Sequence, residues 1–500
     1  MGDTEFMPLP NNEIFTVRAI CNNGTQYRDL ADNPFLDSNE AANGHKRNDN
    51  MANCTVTIYS PDKVYRSDAS LYIFGYGSRK YKKVSWGMKL DKKFLGRKNL
   101  RFRALASEPT LIREKLTGEI FRSAGVPIQE GTYARLIIND DVYGLYAVID
   151  GLNKKWIKSY IHGDVKAKQG VCYRAYSTPP TGPYADLKYL GEDYEVYAGK
   201  GTYKVDEYDD KEISTEDLPT QWKPLIDFTR QYDNWVNTYG NDKSDKAVDE
   251  LKKFLNIENL LRLMAVEALT IGLDGFWFSL SNFAVYQNIQ RNNYLFIPFD
   301  FDQNIVGSKG RITEEKSIND CITWADLPDE DEHYFVTNLL SHPQIKSRYD
   351  TILAKISRET FAADKVKAYV HAVADLIRED ITWNTEATYR LNTGYIGFEN
   401  HFTLEEFEKN LDYGHVDYNP EVNFNDAPYG ILEWVELRGN GCRAYTQNVN
   451  LNDDKYISDD YEVDPPEPPS SSSSSGSPHS FTTKITFAIA LSQLVFFLLF

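Results

Sequence analysis

Residues 271–302 read IGLDGFWFSLSNFAVYQNIQRNNYLFIPFDFD, a stretch that is mostly apolar and aromatic. Asp274 and Asn282 stand at the two ends of its first segment, and Asp300 and Asp302 stand at its end. Little but aromatic and small residues separates Asp274 from Asn282. Whether these four polar side chains share one site depends on how the stretch folds.

The second half of this stretch has the pattern of a β-hairpin. Two strand-like runs, 283–287 and 294–299, flank a polar turn that contains Arg291, and this order is typical of antiparallel strands. Because residues equally far from the turn face each other, a turn centred near residue 291 places Asn282 opposite Asp300, and a small shift of register keeps both at the same end. The hairpin is therefore expected to gather four polar side chains at its open end: Asn282, Asp300 and Asp302 on the hairpin, with Asp274 on the loop before it.

Such a group of oxygen atoms has a definite chemistry. Carboxylate and amide oxygens suit Mg²⁺, which proteins commonly hold through one or two carboxylates while phosphates complete the shell. A further Asp, near but not ligating, can accept the proton of an attacking hydroxyl. The protein kinases have the same order of features along the chain: an Asp that acts as the base, then an Asn, then a hairpin, then an Asp that binds the metal ion. A solvated loop, or the paired acids of a glycosidase, are the alternatives for these residues.

The chain before this stretch is rich in strand patterns. Residues 55–150 contain the alternating runs TVTIYS, SLYIFGYG, VSWGMKL, LRFRAL, YARLII and VYGLYAVID. They surround one helical pattern, for which Ser107 is the expected N-cap, Pro109 an early helical residue and Gly125 the end. The order of strands, helix and a final hairpin predicts a small α+β lobe.

Helical patterns dominate after residue 151. A polar stretch rich in Tyr and Gly, residues 176–220, is interpreted as long loops, and helices are predicted at 245–254, 256–269, 335–380 and 403–411. The predicted fold class is α+β, an atypical protein-kinase-like fold of two lobes, one β-rich and small, the other large and mainly helical. The predicted divisions are an N-terminal segment 1–54, a small lobe 55–152, a large lobe 153–460, a Pro/Ser-rich stalk 461–480 and a hydrophobic tail 481–500.

Glycines in the predicted small lobe suggest a phosphate contact. FGYGSRKYKK places Gly75, Gly77 and Ser78 between two strands, where missing side chains let backbone N–H groups approach a phosphate. A tight hairpin turn explains these glycines equally well.

Two arginines follow on the next strand. Arg101 and Arg103 lie on one face of it by the period of two, and Arg can hold a phosphate with two hydrogen bonds. A solvated strand surface is the alternative. Glu114 on the following helix is a candidate ion-pair partner for one of these arginines.

Charge and cysteine content limit the partners. Asp and Glu number 73 against 55 Lys and Arg, a formal net charge of −18, which argues against a nucleic-acid partner. The five cysteines show no CxxC spacing, so a zinc site is not predicted. A secreted chain could form two disulfides with one spare thiol, and two glycosylation sequons begin at Asn23 and Asn53.

The C-terminus predicts membrane attachment. An uncharged run of 16 residues, ITFAIALSQLVFFLLF, follows a Ser-rich spacer and ends the sequence. A spanning helix needs about 20 apolar residues and a basic flank, so we predict a GPI-anchor signal cleaved near Ser474, Ser475 or Gly476, with a tail-anchored helix as the alternative. MGDTEFMPLP is no signal peptide, and we therefore expect that the natural N-terminus is longer.

Several motifs in this order resemble a known family, the CotH-type atypical protein kinases. These take their name from a bacterial spore-coat protein and have fungal members on the cell surface. The resemblance covers about residues 55–440 and rests on FGYGSRKYKKVSWGMKL, LRFRALASEPTLIREKL, AGVPIQEGTYARLIINDDVYGLYAVID, LDGFWFSLSN and YLFIPFDFDQNIVG.

The resemblance implies roles for individual residues. Asp274 corresponds to the catalytic Asp, Asn282 to the metal-binding Asn, and Asp300 and Asp302 to the family's D-x-D metal signature. Arg103 stands where bacterial members have the ATP-binding Lys, and Arg and Lys are not interchangeable at a shaped phosphate site. The final FG of the family motif reads Ile305-Val306-Gly307 here.

The expected function is a Ser/Thr protein kinase at the cell surface or in the secretory pathway. It would use ATP with Mg²⁺ or Mn²⁺, with Gly75, Gly77, Ser78 and Arg103 as nucleotide-binding residues. The alternative is a GPI-anchored adhesin or invasin on a degenerate kinase scaffold, with a host-cell or cell-wall partner. Fungal members include invasins, but NFAVYQNIQ differs from their pattern, so that activity is not carried over.

Overall fold

A computed structural model describes residues 6–451 except 23–25, 42–43, 180, 307–311, 327–332, 392 and 420. The described residues belong to one compact unit. The predicted stalk, the anchor tail and the sequon at Asn23 lie outside them. None of the helices within the described ranges is long and apolar enough to cross a membrane.

The first part of the chain is a closed barrel of seven strands in the order β1-β2-β3-β4-β5-β7-β6. β1 closes it by pairing in parallel with β6, and the other neighbours are antiparallel. The strands are β1 (Ile14–Cys21), β2 (Ala52–Tyr59), β3 (Val64–Ile73), β4 (Trp86–Phe94), β5 (Arg97–Arg103), β6 (Gly131–Ile138) and β7 (Asp141–Ile149). Among the described residues of this part, two α-helices accompany the strands, α1 (Gln26–Asp32) and α2 (Arg113–Ser123), and a 3-10 helix, Gly77–Lys80, lies between β3 and β4.

A second sheet of four strands lies in the remainder of the chain, in the order β11-β10-β8-β9. Its strands are β8 (Cys172–Ala175), β9 (Tyr203–Glu207), β10 (Phe283–Asn288) and β11 (Asn293–Pro298). The helices of this part are α3 (Lys154–Trp156), α4 (Tyr194–Lys200), α5 (Leu218–Tyr239), α6 (Asp245–Lys252), α7 (Ile257–Thr270), α8 (Phe276–Ser279), α9 (Glu314–Asn319), α10 (Tyr334–Leu340), α11 (Pro343–Glu359), α12 (Ala363–Arg390), α13 (Leu404–Leu411) and α14 (Ile431–Tyr445).

Two disulfides fasten the described chain. Cys21 pairs with Cys54 across β1 and β2, where the two residues lie directly opposite each other. Cys321 pairs with Cys442 on α14. Cys172 is a free, buried thiol. The five cysteines therefore form two disulfides and leave one thiol.

The mixed α+β class is confirmed, and the six predicted strand runs of residues 55–150 correspond to β2–β7. The N-terminal segment contributes β1 to the barrel. The barrel and the helices form one compact unit, so a clear division into two lobes is not seen. The stretch 176–220 contains α4 and β9, and sequence reasoning missed α5 and α14.

The predicted start of α2 is wrong. Ser107 does not cap the helix and Pro109 is not helical, because α2 begins at Arg113. The carboxylate of Glu108 accepts hydrogen bonds from the backbone N–H and the hydroxyl of Thr110, a local alternative to helical bonding. Leu111 has a φ of +56°, which a right-handed helix does not allow. Gly125, with a φ of +79°, follows the end of α2 as predicted.

A buried carboxylate shapes the loop after α7. Glu267 accepts hydrogen bonds from the backbone N–H groups of Phe276 (2.8 Å) and Trp277 (2.7 Å). A Cβ atom at Gly275 would lie 2.5 Å from Oε1 of Glu267, so only glycine fits there. Burial raises the pKa of Glu267 to about 7. This glutamate therefore holds the turn of chain that contains Asp274.

We predict that Glu267 makes the free energy of unfolding depend on pH. Its folded pKa of about 7 lies above the value of about 4.3 in an unfolded chain, so the folded state keeps a proton that the unfolded state loses, and stability falls as pH rises between these values. In Glu267→Gln this fall should be smaller by an amount on the order of 2–4 kcal/mol. Urea unfolding at a series of pH values measures it.

Glu405→Gln, at an exposed position of α13, is the control and should leave the wild-type pH profile unchanged. Equal pH profiles for the wild type and Glu267→Gln would contradict the prediction.

Candidate active site

The loop between α7 and β10 brings Asp274 and Asn282 together. Nδ2 of Asn282 donates a hydrogen bond of 2.7 Å to Oδ2 of Asp274. The backbone turns at Ile271 and at Leu280, each with a φ of +52°. The short helix α8 lies between these two turns. Two residues eight positions apart in the sequence therefore meet at one point.

Aromatic packing against the hairpin and the core holds this loop in place. Phe276 packs edge-on against Phe283 and Phe296 of the hairpin, at 5.0 and 5.3 Å between ring centroids. Trp277 packs against Trp324 and Tyr349 at 5.6 and 5.4 Å. The apolar residues between Asp274 and Asn282 thus anchor the loop to the core, while its two polar ends face one site.

The predicted hairpin is confirmed as β10 and β11, but its predicted register was wrong by one residue. Phe283 pairs with Pro298, and the N–H of Phe299 donates to the carbonyl of Asn282 (3.0 Å). Asn282 therefore lies opposite Phe299, not opposite Asp300, because the centre of the turn lies between residues 290 and 291. Asp300 still comes to the same end of the hairpin.

Arg103 gathers three carboxylates. Its Nε donates to Oε2 of Glu114 on α2 (2.7 Å), its Nη2 is hydrogen-bonded to Asp300, and the same nitrogen lies 3.2 Å from Oδ2 of Asp302. The Arg103 side chain is only 14% exposed. A residue of the barrel thus joins α2 to the end of the hairpin, and the suggested pairing of Glu114 with an arginine of this strand is present.

The acids of this cluster strongly affect one another. Burial and repulsion from Asp300 raise the pKa of Asp302 to about 7. Burial, followed by repulsion from Asp302 and Asp300, holds the pKa of Asp274 well above its usual range. Burial raises the pKa of Glu114 to about 8 even though Arg103 opposes the shift. Burial and mutual repulsion therefore favour the protonated forms of these acids.

Sequence reasoning missed the residues that fix the segment after Asp300. The N–H of Ile305 donates to the carbonyl of Thr270 (2.8 Å), and Nδ2 of Asn304 donates to the hydroxyl of the same threonine (2.7 Å). From α2, Nε of Arg113 donates to the carbonyl of Ile305 (2.9 Å). Glu267 is a charged residue within an apolar run of α7, which is a signal in the sequence. Arg113 stands next to Glu114 and Lys115 at the start of α2, so its sequence neighbours do not distinguish it.

The donor set fits a divalent cation only in part. No group of three or more His, Cys, Asp or Glu side chains in the described residues is close enough to hold a metal ion. However, Oδ1 of Asp274 is buried and has no hydrogen-bond partner there, and Asp300 and Asp302 repel each other. Two carboxylates and an amide, with phosphate oxygens from a bound molecule, are the set that Mg²⁺ commonly uses.

The glycine turn is held by structural contacts. Gly75 has a φ of +77°, and the hydroxyl of Ser78 donates to the carbonyl of Phe74 (3.2 Å). The buried Arg79 donates to the carbonyl of Gly75 (2.8 Å). A backbone role of Gly75, Gly77 and Ser78 toward phosphate stays a prediction, because these contacts explain the turn without a ligand.

Comparison with known proteins finds relatives in Rhizopus delemar. Spore coat protein homolog 1 is 23% identical over 456 residues, which cover 87% of this chain and 69% of the relative. Invasin CotH2 is 24% identical over 415 residues, covering 79% of this chain and 63% of the relative. Invasin CotH3 is 23% identical over 407 residues, which cover 80% of this chain and 62% of the relative. The match spans about two thirds of the length of these relatives.

A model of the CotH kinase protein family matches residues 71–440. The matched range contains the Arg103–Glu114 pair, the loop from Asp274 to Asn282, and the acids at the end of the hairpin. The resemblance found in the sequence motifs is thereby confirmed over most of the chain. This protein belongs to the CotH kinase protein family.

Proposed function

We propose that this protein is an atypical Ser/Thr protein kinase that transfers the γ-phosphoryl group of ATP to protein hydroxyls. The observation that carries the proposal is the meeting of Asp274, Asn282, Asp300 and Asp302 beside the Arg103–Glu114 ion pair. A bound Mg²⁺ or Mn²⁺, held by Asn282, Asp300 and Asp302, would offset the charge of the phosphates.

Asp274 is the proposed base. Asn282 occupies Oδ2 of this carboxylate and leaves Oδ1 without a partner among the described residues, so Oδ1 is the atom that accepts the proton of the acceptor hydroxyl. The raised pKa of Asp274 favours proton uptake. Positive charge next to Asp300 and Asp302 would lower that pKa and keep the carboxylate ionised before the reaction.

The Arg103–Glu114 contact supports the same assignment. In protein kinases a strand Lys forms an ion pair with a Glu on the helix that follows, and both must be in place for activity. Here Arg103 on β5 and Glu114 on α2 form that pair at 2.7 Å. Arg103 also reaches Asp300, so the strand, the helix and the proposed metal ligands are held in one arrangement.

A surface adhesin is the second candidate function. Two of the relatives named above are invasins, and the C-terminal sequence predicts a GPI anchor. Both functions place the protein at the cell surface or in the secretory pathway. The acidic site is the feature that favours catalysis over a purely adhesive role.

The first prediction for this function concerns phosphate transfer. With Mg²⁺, labelled ATP and a Ser-rich acceptor protein, Asp274→Asn should lower the rate about 10²- to 10⁴-fold, because the acceptor loses its general base. Asp249→Asn, at an exposed position of α6, is the matched control and should react like the wild type. Label incorporation that survives Asp274→Asn would show that Asp274 is not the base.

The second prediction concerns ligand binding and does not require an acceptor. ATP with Mg²⁺ should raise the unfolding temperature of the wild type, because a ligand that binds only the folded state stabilises it. The shift should be smaller in Asp300→Asn, which removes a proposed metal ligand. A wild-type protein whose unfolding temperature is the same with and without ATP and Mg²⁺ would favour the adhesin.

A further inference from the structure

Two of the three guanidinium nitrogens of Arg103 are already held by acids. Nε is paired with Glu114 and Nη2 with Asp300 and Asp302, and the side chain is mostly buried. A phosphate that bound there would compete with three carboxylates at once. If the proposed function is right, another cation is needed to hold the nucleotide phosphates.

Arg101 lies two residues earlier on the same face of β5. It pairs across the sheet with Gly87, which pairs in turn with Tyr72 on β3. A Cβ atom at Gly87 would lie 2.2 Å from the Tyr72 ring, so the ring lies over this glycine and toward Arg101. Phe74 adds a second ring, 5.9 Å from the guanidinium. The barrel thus presents an arginine beside two aromatic rings.

The barrel surface with Arg101, Tyr72 and Phe74 is called the first wall. The second sheet provides the opposite wall. Arg174 on β8 lies over the ring of Phe299 at 5.3 Å, and Tyr176 packs edge-on against the same ring at 6.0 Å. Phe299 is hydrogen-bonded to Asn282 and immediately precedes Asp300. This wall is therefore continuous with the acidic site.

Arg101 lies close to this wall. A Cβ atom at Gly151 would lie 3.6 Å from Cζ of Arg101, and the carbonyl of the next residue, Leu152, accepts a hydrogen bond of 2.8 Å from Nη2 of Arg174. Burial, and then repulsion from Arg174, lower the pKa of Arg101. The nearby carboxylate of Asp206 is already paired with Arg174, at 2.7 Å. Asp206 is thus the ion-pair partner of Arg174, and Arg101 has no acid of its own among the described residues.

The half-buried Arg101 has neither an ion-pair partner within 4.0 Å nor a hydrogen bond to any residue that the structure describes. A cation in that position, with aromatic rings on both sides and the acids of the active site beyond, suits a ligand that carries several phosphates and a flat base. We propose that Arg101, rather than Arg103, binds the phosphates of the nucleoside triphosphate; this rests on the proposed kinase function.

Binding of three probes, measured by titration calorimetry, tests the assignment: ATP with Mg²⁺, inorganic tripolyphosphate, and adenosine. Arg101→Ala should weaken binding of ATP and of tripolyphosphate roughly 10- to 100-fold and leave adenosine binding unchanged. Arg101→Lys should retain part of the affinity, because the charge remains. Lys98→Ala, an exposed cation on the same strand, is the matched control and should bind all three like the wild type.

The outcomes separate this inference from the proposed function. Phosphate transfer together with wild-type ATP affinity in Arg101→Ala would overturn the role of Arg101 and leave the kinase function standing. Binding of tripolyphosphate that depends on Arg101, without phosphate transfer, would support the anion site and count against the kinase. Failure of the wild type to bind either ATP or tripolyphosphate would overturn both.

Discussion

The organisation of this molecule depends on the contact between one guanidinium and three carboxylates. Arg103 belongs to the barrel, Glu114 to α2, and Asp300 and Asp302 to the segment after the hairpin. A buried guanidinium without acids would cost several kcal/mol, and the buried acids alone would repel one another. Each group therefore requires the others, and the barrel, the helix and the hairpin end are held in one geometry.

The sequence predicted those parts of the fold in which hydrophobic period and turn chemistry agree. The hairpin was foreseen because the apolar runs on either side of Arg291 have the period of strands, and α7 because Asn256 caps it, accepting from the N–H of Asn259 (3.1 Å). The start of α2 was not, because the bonds of Glu108 to Thr110 depend on Arg113, which is itself placed by the distant Ile305. A local sequence pattern does not reveal a tertiary contact of this kind.

The same reasoning explains what was predictable in the site. Asp274, Asn282 and Asp300 could be grouped because a hairpin has only two ends. Neither the exact register nor the role of Glu267 could be read, since both depend on backbone turns that only the folded chain fixes. Five of the ten described non-glycine residues with φ between 49° and 68° lie around the site: Ile271, Leu280, Asn282, Asp300 and Ile305. Such conformations persist only where the surroundings impose them. The N–H of Ile271 donates to the carbonyl of Glu267, and Ile305 is hydrogen-bonded to Thr270 and Arg113.

The arginine at position 103 also changes how charge is distributed over the cleft. A lysine ammonium is a single point charge, whereas the planar fork of arginine reaches partners on two sides at once. Arg103 uses Nε for Glu114 and Nη2 for Asp300 and Asp302. The acids that would meet a metal ion are therefore already in contact with a cation, while Arg101, on the same strand face, has no acid partner among the described residues. Positive charge for an incoming anion thus lies beside the acidic cluster and not within it.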